Sequence, residues 1–246
     1  MAKARERSGF TTPRRLPRGR HALSPDAVLR DQRQRLLAAV PGVVAEHGYE
    51  AMSVAHLVKA AAVSRNAFYK NFSGKQECFA TAHEACHEQL FEILTGPCDA
   101  AATIEDRVER SLTAGLDALA SEPDVARLLF VEAPSAGEEI ALRYHEWLQR
   151  YGTLLRSVAP DLPAGSSPTP EVEQVIVGGL ASRVASEVLQ GRPEHLRALT
   201  APFVEYILAF YRLGAPGPKA GEVVALEPEQ EPVPEYFEAR RKQAGA

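Results

Sequence analysis

From Ser24 to Leu213, apolar side chains return at intervals of three and four residues, in segments long enough to form helices. No stretch alternates with period two for long enough to argue a strand. The chain is therefore expected to be all-α, with each apolar stripe buried against another helix. The composition, 45% hydrophobic and 24% charged, is that of a folded globular protein. No run approaches the ~18 apolar residues of a spanning helix, and no apolar segment follows the basic start as in a secretory signal. Three cysteines suit a reducing cytoplasm better than a disulfide scaffold.

Segmentation follows from the breakers. Residues 1–24 carry Lys3, Arg5, Arg7, Arg14, Arg15, Arg18 and Arg20 among Gly and Pro, without periodicity, and read as a flexible basic arm. Ser24-Pro25-Asp26 is a helix start, and the helix is expected to end at His47-Gly48, with Pro41 kinking or dividing it. Two very short helices follow, then long ones over about 75–95, 103–120, 135–158, 171–190 and 193–213, with a short one over 125–131. Residues 161–170 form a Pro/Gly/Ser loop, and the Pro- and Glu-rich tail from Ala215 reads as disordered. The expected organisation is an arm (1–24), a three-helix head (25–74), a helical body (75–214) and a tail (215–246).

The formal net charge of −4 conceals a partition. Residues 1–75 carry 14 Lys and Arg against 5 Asp and Glu, net +9, while residues 76–246 carry 14 against 27, net −13. A basic front on an acidic body suits a segment meant for nucleic acid joined to one that is not.

Within that front, the two short helices carry the chemistry. Ser53 can cap the first, which buries Val54, Leu57, Val58 and Ala61; a tight turn at Ala62-Val63 follows, and Ser64 can cap the second. Phe68 faces inward on the second helix, leaving Arg65, Asn66, Tyr69 and Lys70 accessible. Arg can grip guanine and Asn adenine through paired hydrogen bonds, while Tyr and Lys reach phosphates. The competing reading is a helical hairpin of a larger bundle whose outer face is polar because it meets water.

The residues Ala45-Glu46-His47-Gly48-Tyr49, Ser53-Val54-Ala55-His56-Leu57-Val58, Ala61-Ala62-Val63-Ser64-Arg65-Asn66-Ala67-Phe68-Tyr69-Lys70-Asn71-Phe72 and Lys75-Gln76-Glu77 strongly resemble the DNA-binding domain of the TetR family of transcriptional regulators. The likeness covers about residues 27–80. It implies a homodimer with an N-terminal helix-turn-helix domain and a divergent helical C-terminal domain for ligand binding and dimerisation. It further implies that Ser53 caps the first motif helix near a phosphate, and that Ser64, Arg65, Asn66 and Ala67 lie on the groove-facing start of the recognition helix. Tyr69 and Lys70 would touch phosphates or a base edge. Lys75 would meet a phosphate at a helix N-terminus. Arg18 or Arg20 of the arm would enter a minor groove. One departure is Ala62, where the family usually has Gly; either the alanine is left-handed at a cost of about 1 kcal/mol or the turn shifts slightly.

Elsewhere the signals are weaker. His83 and His87, with Cys86 and Cys78 nearby, have a spacing that can hold a metal, but further ligands are lacking; helix-surface and interdomain packing is the expected role, and no metal or cofactor is expected. No second cysteine is placed to give Cys78, Cys86 or Cys98 a redox role. Gly178, Ser182 and Ser186 make a small-residue face that, with Phe203, Ile207 and Phe210, suggests a four-helix dimer interface, or else packing of the same two helices within one chain. Phe91, Leu112, Leu116, Phe130, Tyr144, Trp147 and Tyr151 are the candidate ligand-binding residues.

No catalytic constellation is present, so an enzyme is not expected. The function expected is a cytoplasmic, ligand-responsive repressor that binds a palindromic operator as a homodimer. A small hydrophobic or aromatic ligand would release it. The alternative is a helical module for a small molecule or protein, with only non-specific affinity for nucleic acid.

Overall fold

The computed structural model describes residues 24–96, 103–157 and 168–212, and every regular element among them is helical. Arg18, Arg20 and Cys98, with the rest of the arm, most of the expected loop and the tail, lie outside the described residues. In chain order the α-helices are α1 (Pro25–Ala51), α2 (Val54–Ala61), α3 (Arg65–Tyr69), α4 (Lys75–Thr95), α5 (Ile104–Ser121), α6 (Pro123–Arg127), α7 (Glu138–Ser157), α8 (Pro170–Leu189) and α9 (Thr200–Arg212).

Short polar side chains set the starts. Ser24 accepts from the Ala27 N–H with Pro25 at the first position, and Thr103 and Asp106 close a reciprocal capping box on α5. Two sequence expectations are corrected at the level of the backbone. Pro41 does not divide α1: the dihedrals stay helical through it, and the break comes at Gly48, whose φ of 72° needs a residue without a Cβ. The expected short helix over 125–131 gives way after Arg127 to a π-helical turn, Leu128–Glu132, and the expected helix from 193 opens as a 3₁₀ segment, Pro193–Leu199, before α9.

One continuous apolar core runs from Leu36 and Val40 of α1 through Phe68, Phe79 and Leu128 to Trp147 and Phe203. A smaller cluster gathers Val108, Ile176, Ile207 and Tyr211. Helix α4 is the shared strut, in contact with α1 at one end and with α5 and α7 along its length. At Gly115 a Cβ would lie 2.6 Å from Leu94 Cδ2, so glycine lets α5 approach α4 closely.

Candidate nucleic-acid interface and ligand cavity

Helices α2 and α3 are joined by three residues whose geometry is fixed by hydrogen bonds. Ser53 Oγ accepts from the His56 N–H (3.3 Å) and Ser64 Oγ from the Ala67 N–H (3.0 Å). Between them Ala62 takes φ 52°, ψ 48°; its N–H donates to the Lys59 carbonyl and that of Val63 to the Val58 carbonyl. This is a helix-ending turn that ordinarily favours glycine. The expected left-handed alanine is thus present, and Ala62→Gly should stabilise the chain by about 0.5–1 kcal/mol, visible as a raised thermal midpoint; a lowered midpoint would count against strain at this turn.

Two arginines that sequence reading passed over brace the motif from α1. Arg35, itself paired with Asp31 at 3.0 Å, donates to the carbonyls of Ala61 (3.2 Å) and Ala62 (3.1 Å). Arg33 donates to the Asn71 carbonyl (2.9 Å) and lies over the Phe72 ring. One therefore holds the turn, the other the end of α3. The stacked rings of His47 and His56, 4.0 Å apart, tie α1 to α2. Nothing in the local pattern of α1 marks these arginines out, because their partners lie 26 to 38 residues away.

With that frame set, α3 divides sharply. Phe68 is wholly buried and Ala67 is 6% exposed, whereas Ser64, Arg65, Asn66, Tyr69 and Lys70 are exposed. Ala67, expected at the groove-facing start, instead packs inward beside Phe68, as its position one residue earlier on a 3.6-residue turn dictates. The Arg65 guanidinium rests 5.9 Å from the Tyr69 ring. Ser53, half-buried, keeps its hydroxyl proton available while capping α2. Lys75 differs from expectation: its ammonium donates to the carbonyls of Tyr49 (3.1 Å) and Glu50 (2.9 Å) and covers the Tyr49 ring. It latches α4 to the end of α1 and does not stand free.

The body holds a partly open cavity of about 120 Å³ among α4, α5, α7, α8, α9 and the π-helical turn. Of the seven expected ligand-binding residues, Leu112, Leu116, Phe130 and Tyr151 line it. Phe91, Tyr144 and Trp147 do not. Trp147 is instead buried against His87, with its Nε1–H donating to Glu84 (3.0 Å) and the Arg150 guanidinium on its ring. Phe91 flanks that arginine, and Tyr144 is core. Ser111 and Tyr151 are the polar side chains of the lining, and the Ser111 hydroxyl already donates to the Leu94 carbonyl at 2.7 Å.

His83 and His87 are fully buried, not on a helix surface. Their Nε2 atoms lie 3.0 Å apart, and His87 Nδ1 lies 2.8 Å from Tyr151 Oη. Burial holds His83 down at about 4 and His87 well below the usual histidine range, so both rings are neutral near pH 7. Burial likewise pushes the Cys78 and Cys86 thiols up to about 12, which keeps them protonated and unreactive. Among the described residues, no group of three or more His, Cys, Asp or Glu is arranged to hold a metal, and no helix is long and apolar enough to cross a membrane.

On α8 and α9 the expected interface residues separate. Phe203 and Ile207 are buried and line the cavity, because the period of α9 turns them inward. Gly178 and Ser186 are half-buried, Ser182 is exposed, and Phe210 is half-buried against the exposed Tyr206.

Residues 36–82 match the family model described as bacterial regulatory proteins, tetR family. No curated protein sequence matches the chain. Among solved structures, the fatty acid degradation regulator FadR from Bacillus halodurans is similar, with a TM-score of 0.64 and 22% identity over 72% of this chain and 94% of its own. The transcriptional regulator FadR from Bacillus subtilis, in complex with stearoyl-CoA, is similar at a TM-score of 0.63 and 18% identity, over 72% of this chain and 97% of its own. A transcriptional regulator from Rhodococcus sp. Rha1 is similar at 0.54 and 26%, over 72% and 96%. Residues 36–82 thus carry a DNA-binding domain of the tetR type, built as a helix-turn-helix, in an all-helical chain that shares the fold of these transcriptional regulators.

Proposed function

We propose that the chain is a repressor that binds a palindromic operator as a homodimer and is released when an apolar effector enters the cavity of the helical body. The observation that carries this reading is the division of α3, with Phe68 sealed in the core and Arg65, Asn66, Tyr69 and Lys70 left exposed on a frame braced by Arg33 and Arg35. Two such helices about 34 Å apart, presented by a two-fold dimer, would enter successive major grooves. Residues 25–74 act as the reading head and 75–214 as the sensor and dimer body.

The dimer is assigned to one face of α8 and α9. Val175 (64% exposed), Gly179, Ser182, Ser186 and Leu189 (61% exposed) follow one another at helical spacing on α8. Tyr206 and Phe210 continue the face on α9. Small residues at its centre let a partner helix approach closely, and the exposed Val and Leu gain burial on association. The effector is apolar because the lining is. A cavity of about 120 Å³ admits a ring or a short hydrocarbon without rearrangement, since a cavity of ~150 Å³ holds benzene. A longer acyl chain, like that of the stearoyl-CoA held by the Bacillus subtilis relative, would have to part the helices, and parting them is the motion that would alter the separation of the two heads.

The reading is tested on a duplex selected from random sequence by the wild-type chain. Arg65→Ala with Asn66→Ala should weaken it roughly 30-fold or more, at about 1 kcal/mol or more per base contact, with little change on random DNA. Equal binding of the two proteins to the selected duplex would remove α3 as the reading helix. Failure of the wild type to prefer any sequence across a salt titration would remove operator recognition altogether.

A further inference from the structure

The buried row His83, His87 and Tyr151 ends on the cavity wall, and its protons do not balance. Both imidazoles are neutral and the phenol is protonated, its ionisation suppressed by burial, so the three side chains hold three hydrogen-bonding protons. The row has two internal contacts, His83 Nε2 to His87 Nε2 and His87 Nδ1 to Tyr151 Oη, and each uses one proton. One donor is always left over.

It can emerge at either end. If His87 donates to His83, the leftover proton is on His83 Nδ1, an enclosed atom with no hydrogen-bond partner among the described residues. If His83 donates to His87 and His87 Nδ1 donates to Tyr151 Oη, His83 Nδ1 is a bare lone pair and the leftover proton is the Tyr151 hydroxyl. His83 Nδ1 is unpaired in both arrangements, as a donor in the first and as a lone pair in the second. In the first, however, the Tyr151 proton is spent on His87 and the leftover donor is sealed in, so that arrangement has no remedy. The second has one, because Tyr151 lines the cavity and is 8% exposed.

We propose that the Tyr151 hydroxyl, oriented by the His83–His87 relay, is the specificity-determining donor of the cavity and selects an apolar effector bearing a neutral carbonyl oxygen. The inference rests on the reading of the cavity as the effector site. Neutrality follows from the lining, which contains no cation; a bare carboxylate would lose its hydration without a counter-charge. Ser111 does not compete, since its own proton is committed to Leu94. His83 and His87 touch no effector in this arrangement and act as positioning residues that fix which way Tyr151 points its proton.

The probes are methyl pentyl ketone and its isostere in which a methylene group replaces the carbonyl oxygen. Binding to the full chain can be followed through Trp147, the sole tryptophan, whose ring is stacked on His87 at 4.9 Å. The wild type should bind the ketone about tenfold more tightly than the isostere. Tyr151→Phe, which keeps the ring and its packing, should abolish that advantage. His83→Leu should shrink the advantage with Tyr151 still in place. Nitrogen NMR of the ketone-bound wild type should find the proton of His83 on Nε2 and that of His87 on Nδ1. A ketone advantage that survives Tyr151→Phe, or a bound state with the His83 proton on Nδ1, overturns the proposal. Equal binding of both probes to the wild type also overturns it but leaves the effector site standing. If neither probe binds, the effector-site reading itself falls.

Discussion

Lowering the pH from 6.5 to 4 should strip stability from this protein well before its carboxylates titrate. His83 and His87 are neutral in the fold because burial disfavours the imidazolium. In the unfolded chain both return to the ordinary histidine range near 6.5. Between the folded and unfolded values the unfolded state binds more protons, so stability rises with pH across that window and is fully present only above pH ~6.5. With a folded value of about 4, His83 alone accounts for a loss on the order of 3 kcal/mol, and His87 adds to it. The charges around the pair do not rescue the imidazolium: Arg143 and Arg150 disfavour it, while Glu84 and Glu88 are engaged with Trp147 and Arg150. Exposed carboxylates held low by hydrogen bonds, Glu77 at Ser73 and Asp106 at Thr103, contribute only at still lower pH. Urea midpoints at pH 7, 5.5 and 4 measure the effect. A flat profile over that range would be incompatible with a neutral, buried pair, and His83→Leu should reduce the slope in proportion to its share.

How much of this was written in the sequence depends on how far apart the partners lie. Ser53 and Ser64 were identifiable as caps because a cap bonds three residues ahead, and the local pattern contains both ends. The left-handed Ala62 and the stop at Gly48 were legible for the same reason. Side-chain pairings across the chain were not. Arg33 and Arg35 look like any polar residues of a surface helix until α3 and its turn fold back on them. Lys75 has the placement of a phosphate contact, yet the carbonyls that occupy it belong to residues 25 and 26 positions earlier. The cavity was misjudged differently. Aromatic clustering pointed to Phe91, Tyr144 and Trp147, but Phe91 and Trp147 pack on Arg150, Tyr144 is core, and the walls are chiefly Leu and Val drawn from several helices far apart in sequence. Phe203 and Ile207 illustrate the limit of periodicity: it reveals that α9 has an apolar face, not whether that face meets its own chain or a second copy.

Glu132→Ala should destabilise the chain by about 2–3 kcal/mol and weaken operator binding at the same time, although Glu132 lies far along the chain from α3. The carboxylate is buried at the end of the π-helical turn, two residues from Phe130 on the cavity wall. Its Oε2 accepts from the Tyr49 N–H at 2.9 Å, and its Oε1 pairs with Arg127 at 3.0 Å. Tyr49 follows Gly48, where the left-handed φ breaks α1 and turns its amide toward the body; a Cβ on Gly48 would come within 3.6 Å of the same carboxylate. The Tyr49 carbonyl in turn holds Lys75 at the start of α4. Truncating Glu132 therefore orphans a buried amide and a partly buried guanidinium at the point where the reading head joins the cavity wall. Glu132→Gln separates the two losses: its amide oxygen can still accept from Tyr49, while Arg127 loses its charged partner, so the cost should fall to about 1 kcal/mol. Hydrogen exchange at the Tyr49 amide gives the local readout, fast in the alanine variant and slow in the glutamine variant. If the amide stays equally protected in both, Glu132 is not what holds the head to the body.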